Sequence, residues 1–131
     1  MSAGLDTGFF LRLLQGRAEA LEVWDAIIRR RSEGVVSCVT LYELRRLGLR
    51  GAVSADAMDI LVQELPHLCA VVWLDDAELL ERAARIAHGN ALSMADAIIL
   101  ASLIRAGADA VYTTDRDLAR YGAGPEIVLL R

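Results

Sequence analysis

Residues 95–118 read ADAIILASLIRAGADAVYTTDRDL, and the order of chemistry within them sets the fold. From Met94 to Ala106 the side chains are apolar almost all the way round, as in a helix buried on every side rather than one lying on a surface. Gly107 follows where a helix C-terminus favours a left-handed residue. Ala110 to Thr113 then reads as a short strand, and Asp115 to Tyr121 as a short helix ending at Gly122. A buried helix, a strand and another helix in succession belong to a parallel sheet covered on both faces. Two acids punctuate the run: Asp96 at the helix start and Asp115 at the strand end.

The same grammar extends outward in both directions. Ala3 to Asp6 forms a first strand, after which Phe9, Phe10, Leu13 and Leu14 recur at helical spacing until Gly16. A second helix spans Arg17 to Arg31, with Leu21, Trp24, Ile27 and Ile28 on one stripe. Its acids Glu19 and Glu22 near the start and arginines 29–31 at the end suit the helix dipole. Gly34 opens a run from Val35 to Val39 that reads as a buried strand, followed by a helix from near Thr40 that Gly48 and Gly51 close. Ser54 caps a helix carrying Met58, Leu61, Val62 and Leu65, stopped by Pro66. Cys69 to Leu74 is a third strand, Asp75 and Asp76 start a helix that His88 and Gly89 end, and Ile127 to Leu130 is the last strand. Five strands alternating with helices predict an α/β fold in three layers, α/β/α, around a mostly parallel five-stranded sheet. Residues 1–131 are expected to form a single domain.

Composition narrows the function. All 14 basic residues are arginine, so a phosphate loop or Schiff-base chemistry that needs lysine is excluded. A net charge of -4 argues against a domain that coats nucleic acid non-specifically, although arginine clusters can still grip a few phosphates. Cys38 and Cys69 sit alone in apolar segments without metal-ligand spacing and read as reduced core cysteines. No apolar run reaches the roughly 18 residues that span a bilayer, and no basic leader precedes the first strand, so a cytoplasmic protein is expected. A hydrophobic content of 55% in so short a chain implies a face buried against a partner, most simply a second copy.

Four acids, Asp6, Glu43, Asp96 and Asp115, fall where a strand gives way to a helix. Each taken alone can be a helix cap: Ser93 with Asp96 and Thr40 with Glu43 match capping boxes, and Asp6 and Asp115 can be N-caps. Taken together they follow strands that flank one crevice, because the carboxyl ends of parallel strands converge. Convergent carboxylates repel unless a cation lies between them, and hard divalent cations take oxygen ligands. Asp75 and Asp76 follow the third strand and could approach the crevice, whereas Asp109 precedes its strand at the opposite end of the sheet. His67 and His88 have no partner at catalytic spacing.

LDTGFF (residues 5–10), TLYEL (40–44) and the 95–118 stretch together resemble the three blocks of PIN-domain ribonucleases, especially the toxins of VapBC-type toxin–antitoxin pairs. The resemblance covers essentially the whole chain and implies a PIN-like fold. It places the metal-binding acids on Asp6, Glu43, Asp96 and Asp115, with Asp117 as an additional acid of less constant role. The chain departs from the pattern at Gly8, where similar sequences often carry Asn or Ser. Thr7, Thr113 and Thr114 keep hydroxyls nearby.

The resemblance and the acid set together imply an endoribonuclease that uses Mg2+ or Mn2+ to hydrolyse RNA with an activated water, leaving a 5′-phosphate and a 3′-hydroxyl by that resemblance. Thr7, Thr114 and Arg116 are candidate substrate contacts, with Arg12, Arg45 and Arg46 as further phosphate-binding candidates. The expected partners are RNA, a second copy of the chain and a small antitoxin. Two alternatives are a PIN-like scaffold that only binds, and a receiver-like or haloacid-dehalogenase-like phosphotransfer domain. The second uses a lysine that this chain lacks.

Overall fold

The computed structural model describes residues 1–131. Its elements are β1 Ser2–Leu5, α1 Thr7–Leu14, α2 Ala18–Ile28, β2 Glu33–Ser37, α3 Cys38–Leu49, α4 Ala55–Leu68, β3 Cys69–Val72, α5 Ala77–Asn90, α6 Met94–Arg105, β4 Ala110–Thr113, α7 Arg116–Ala119 and β5 Glu126–Leu129. The strands form one five-stranded sheet in the order β3-β2-β1-β4-β5, and every neighbouring pair is parallel. The chain winds outward from β1 through β2 and β3 on one side and through β4 and β5 on the other. A crevice opens beyond the carboxyl ends of the strands at such a switch point.

Two apolar cores cover the two faces of the sheet. One joins Val35 and Val111 to Leu79, Ala83 and Ile86 of α5 and Ile99, Leu100 and Leu103 of α6. The other joins Leu5 and Val36 to Phe9 and Phe10 of α1, Ile27 of α2, Leu44 of α3 and Met58 and Leu65 of α4. Helix α6 is enclosed as its sequence predicts: every residue from Ala97 to Leu103 is at most 9% exposed. Its one polar member there, Ser102, returns its hydroxyl to the Ile98 carbonyl at 2.7 Å, which removes the cost of burying it.

Several boundaries differ from the sequence reading, α2 ending at Ile28 rather than Arg31 and β3 at Val72 rather than Leu74 among them, and three differences have a plain local reason. β2 ends at Ser37 rather than Val39, because the Ser37 hydroxyl accepts the Val39 N–H at 3.2 Å and caps α3 at once. Pro66 does not stop α4, which continues to Leu68. In a last turn a proline removes one helical N–H, and the Cys69 N–H still closes on the Leu65 carbonyl. Gly89 lies inside α5, and the left-handed residue that ends the helix is Ala91, with φ of 53°.

Candidate active site

β1 and β4 are neighbours, and the residues that turn them into helices are Asp6 and Asp115. Asp6 caps α1 through Oδ1, which accepts the Phe9 N–H at 3.0 Å, while Oδ2 accepts the Thr113 hydroxyl. Thr113 Oγ1 in turn accepts the Asp115 N–H at 2.9 Å, and Asp115 Oδ1 accepts the Asp117 N–H at 2.8 Å. Thr113 therefore ties the ends of the two central strands together and fixes the spacing of their acids. Its place as the last residue of β4 was legible, but the bond to Asp6 spans 107 residues and left no local signal.

The other two acids enter from helices. Ser93 caps α6 by accepting the Asp96 N–H at 3.2 Å, and the neighbouring Asp115 raises the Asp96 pKa. Glu43 stands one turn deeper in α3 than the sequence suggests, since the cap is Ser37. Thr40 is buried within the helix, so Thr40 and Glu43 do not form a capping box. The Glu43 carboxylate instead accepts the Thr7 hydroxyl at 2.6 Å, and Thr7 lies 3.4 Å from the Thr40 hydroxyl. Thr7 thus positions Glu43, a role the sequence did not signal.

Asp6 and Asp96 both respond to their acidic neighbours. Burial pushes Asp6 up to about 6, against the lowering pull of Thr113 and Phe9, and the charges of Asp96 and Asp115 raise it further. Asp96 also rises to about 6, through burial first and then through Asp115 and Glu43. No arginine relieves this crowding: all seven ion pairs lie elsewhere. Buried like charges without a counter-ion destabilise a fold, and they persist where a cation is to be held.

The chemistry of the donor set fits a hard divalent cation. No three of these groups already stand at the spacing of a complete cage. Mg2+ does not require one, because it is commonly held by one or two carboxylates, with waters and substrate phosphate filling the octahedron. Asp96 with Asp115 forms the closest pair, Asp6 flanks both, and Glu43 is within electrostatic reach of Asp96.

The remaining candidates are distributed around this centre. Asp117 is exposed and pairs with Arg120 at 2.7 Å. Arg116 is exposed and takes part in no ion pair. Arg45 is engaged by Asp59. Asp75 and Asp76 are held by Arg105, and Asp109 accepts the Ser2 N–H at 2.8 Å at the opposite end of the sheet. Cys69 is buried, with its thiol pushed up to about 12, and is chemically inert at neutral pH.

Gly8, the one departure from the resemblance, has a steric cause. A Cβ at this position would lie 2.0 Å from Thr114 Oγ1 and 3.0 Å from Thr114 Cβ. The Thr114 side chain fills the space that a side chain at position 8 would occupy, so a hydroxyl is present beside the acids but comes from the β4–α7 turn. Gly8→Ala is expected to destabilise the protein by about 1–3 kcal/mol as an overpacking change, because Thr114 Oγ1 would have to leave the space and Thr114 Cγ2, at 3.1 Å from the new Cβ, crowds it as well. Thr114→Ala in the same chain should restore most of the loss. Equal melting temperatures for wild type and Gly8→Ala would refute the steric coupling.

Comparison with known proteins agrees with the geometry. No curated protein sequence matches the chain. The VapBC2 complex from Rickettsia felis, crystallised with a DNA fragment from its promoter, contains a chain that superposes with a TM-score of 0.76 at 10% identity, over 100% of both chains. A toxin–antitoxin complex from Klebsiella pneumoniae contains one that superposes with a TM-score of 0.67 at 19% identity, covering 98% of this chain and 96% of the other. At such identities the superpositions speak for the fold. A sequence model of the PIN domain matches residues 4–124, which takes in every acid of the crevice, and the chain belongs to the PIN domain family.

Proposed function

We propose that the chain is a metal-dependent endoribonuclease and the toxin of a VapBC-type toxin–antitoxin pair. The observation that carries this reading is the cluster of Asp6, Glu43, Asp96 and Asp115, unrelieved by any arginine, at the switch point of a PIN domain. In it Asp96 and Asp115 hold Mg2+ or Mn2+, Asp6 and Glu43 complete the negative surround, and Thr7 and Thr113 keep two of the carboxylates from swinging. A bound cation supplies Lewis-acid polarisation of the phosphate and activation of a water. In this reading the Thr114 hydroxyl and the exposed Arg116 guanidinium would contact the substrate phosphate, with Asp117 as an additional acid of the site. One carboxylate of the set can accept the proton of the attacking water.

A PIN-like scaffold that only binds is disfavoured by an intact acid set held by its own threonines. The absence of lysine disfavours a phosphotransfer domain. Purified protein should cleave single-stranded RNA with Mg2+ or Mn2+ and fall silent in EDTA.

The partners follow from the surface. An apolar groove of about 340 Å³ between α5 and α6 includes Leu80, Met94, Ala97 and Ile98, and Met94 is 77% exposed two residues before Asp96. An antitoxin segment lying there would cover the crevice and could present an arginine to the acids, and the structural relatives come from toxin–antitoxin complexes. We expect a dimer mass by light scattering at micromolar concentration, and co-purification of a small protein encoded beside the gene. A monomer that captures no such protein would contradict this part of the reading. No helix is long and apolar enough to cross a membrane, and the substrate in this reading is cytoplasmic RNA.

A further inference from the structure

The sheet has two edges, and only one of them is guarded. β5 is preceded by Pro125, begins with the charged Glu126 and has Arg131 just beyond it, features that discourage pairing with another chain. β3 has none of these. Residues 69–74 read CAVVWL, without a charge, a proline or a glycine, and β3 pairs only with β2. Beyond that ladder no backbone group of Ala70, Val71 or Val72 is bonded within the chain. A strand paired on one side directs unpaired N–H and C=O groups outward from the other. Ala70 is exposed and Val71 and Val72 are only half-buried, so the helices leave this edge open.

The two ends of the open edge complement each other. At the carboxyl end Trp73 is 59% exposed, and Leu74 beside it is exposed too. At the amino end lies a cavity of about 520 Å³, large enough to take an indole, with Ile27, Ile28, Arg30, Leu68, Cys69 and Ala70 in its walls. Arg30 is in no ion pair and makes no side-chain hydrogen bond, and a free guanidinium is attracted to an aromatic face. Cys69 and Val71 pack into the core shared with Ile27 of α2, whereas Val72 packs into that of α5 and α6. Continued by one residue, this alternation puts Trp73 on the face of Cys69, which is the face of the cavity.

The two ends lie on one strand and cannot meet within a chain. A second copy related by a two-fold axis brings them together twice, because each patch of an isologous interface contacts the other. Residues directly opposite in an antiparallel pair share a face, so a two-fold at Val71 sets Trp73 of each copy opposite Cys69 of the other. We propose that the chain dimerises by pairing β3 with β3 of a second copy, antiparallel about Val71, with each Trp73 filling the other copy's cavity. The proposal supplies the surface for the dimer expected above. It uses none of the four acids and stands apart from the ribonuclease reading.

Sedimentation equilibrium of the full-length protein in EDTA and reductant is expected to give a dimer mass at micromolar concentration. Trp73→Glu should weaken the dimer about a hundredfold in Kd, about tenfold for each of the two indoles. Leu49→Glu, at an exposed apolar residue of α3, should leave Kd unchanged. Val71→Cys tests the register independently. Opposite residues of an antiparallel pair stand about 4.5–5.5 Å apart at Cα, within disulfide range, so mild oxidation should link two chains through residue 71. The wild type, with Cys38 and Cys69 alone, should stay unlinked. A monomer mass for the wild type throughout the micromolar range overturns the proposal. A dimer that Trp73→Glu leaves intact and Val71→Cys fails to link is joined by another face, and the proposal is wrong. If the wild type is a monomer and Trp73→Glu instead loses a small protein partner, the edge receives a strand of that partner, which also overturns it. RNA cleavage, measured separately, decides the nuclease reading whichever result is found.

Discussion

Asp96→Asn is expected to lower RNA cleavage in Mg2+ or Mn2+ by about a hundred- to a thousandfold, and EDTA should silence the wild type to the same degree. Lewis-acid stabilisation of a phosphoryl centre is worth several kcal/mol, and each 1.4 kcal/mol is about a factor of ten in rate. The substitution is well isolated from folding. Ser93 caps α6 through the backbone N–H of residue 96, which asparagine retains. What is lost is one negative charge of the Asp96–Asp115 pair. A purely structural acid would behave otherwise: the variant would cleave at the wild-type rate and lose some stability through the helix dipole, by about 0.3–1 kcal/mol. Initial rates on single-stranded RNA, taken with circular dichroism melts of both proteins, separate the two. Full activity in Asp96→Asn, or cleavage undiminished by EDTA, would end the nuclease reading.

The fold was legible because its signals are local. The unbroken apolar run of α6 announced burial on all sides, and Gly16, Gly51 and Gly107 marked helix ends that do adopt left-handed φ values of 71°, 75° and 75°. Ala91 and Arg30 adopt the same conformation with φ of 53° and 60°, against side-chain preference, so no sequence rule located those two ends. The alternation of strands and helices gave the parallel sheet, though not its order, which depends on pairings across the chain. The identities of the four acids were readable, but their support was not. Thr7 reaches Glu43 across 36 residues and Thr113 reaches Asp6 across 107, so only folding reveals that threonines orient the carboxylates. Capping and site roles also prove compatible in one residue: Asp6 caps α1 with one oxygen and lies among the other acids.

The second large effect is on stability in the metal-free protein. Asp6 holds its proton to about pH 6 when folded, against 3.8 for the ordinary group, chiefly because it is buried. Between those values the folded chain binds more protons than the unfolded one. Stability contributed by this group is therefore full below about pH 4, is lost as pH rises to about 6, and stays lost above. A shift of about two units corresponds to about 3 kcal/mol. Asp96 acts in the same direction, with a smaller share because it is less buried and better screened. In EDTA at pH 7.5, Asp6→Asn is thus expected to melt above the wild type by about 5–8 °C, the gain from removing the buried charge being reduced by a weaker bond to Thr113. The gap should close near pH 4. Mn2+ should reverse the ranking: at a hundredfold excess over Kd a ligand of the folded state adds about 2.7 kcal/mol, or about 10 °C for a chain of this size, and the variant lacks part of the site. Differential scanning calorimetry across pH, with and without Mn2+, reads all of this from two proteins. If Asp6→Asn melts below the wild type at every pH and Mn2+ leaves both unchanged, Asp6 is a helix cap alone. If Mn2+ stabilises the wild type while the pH dependence is flat, the cation is held by Asp96 and Asp115 without help from the buried acid.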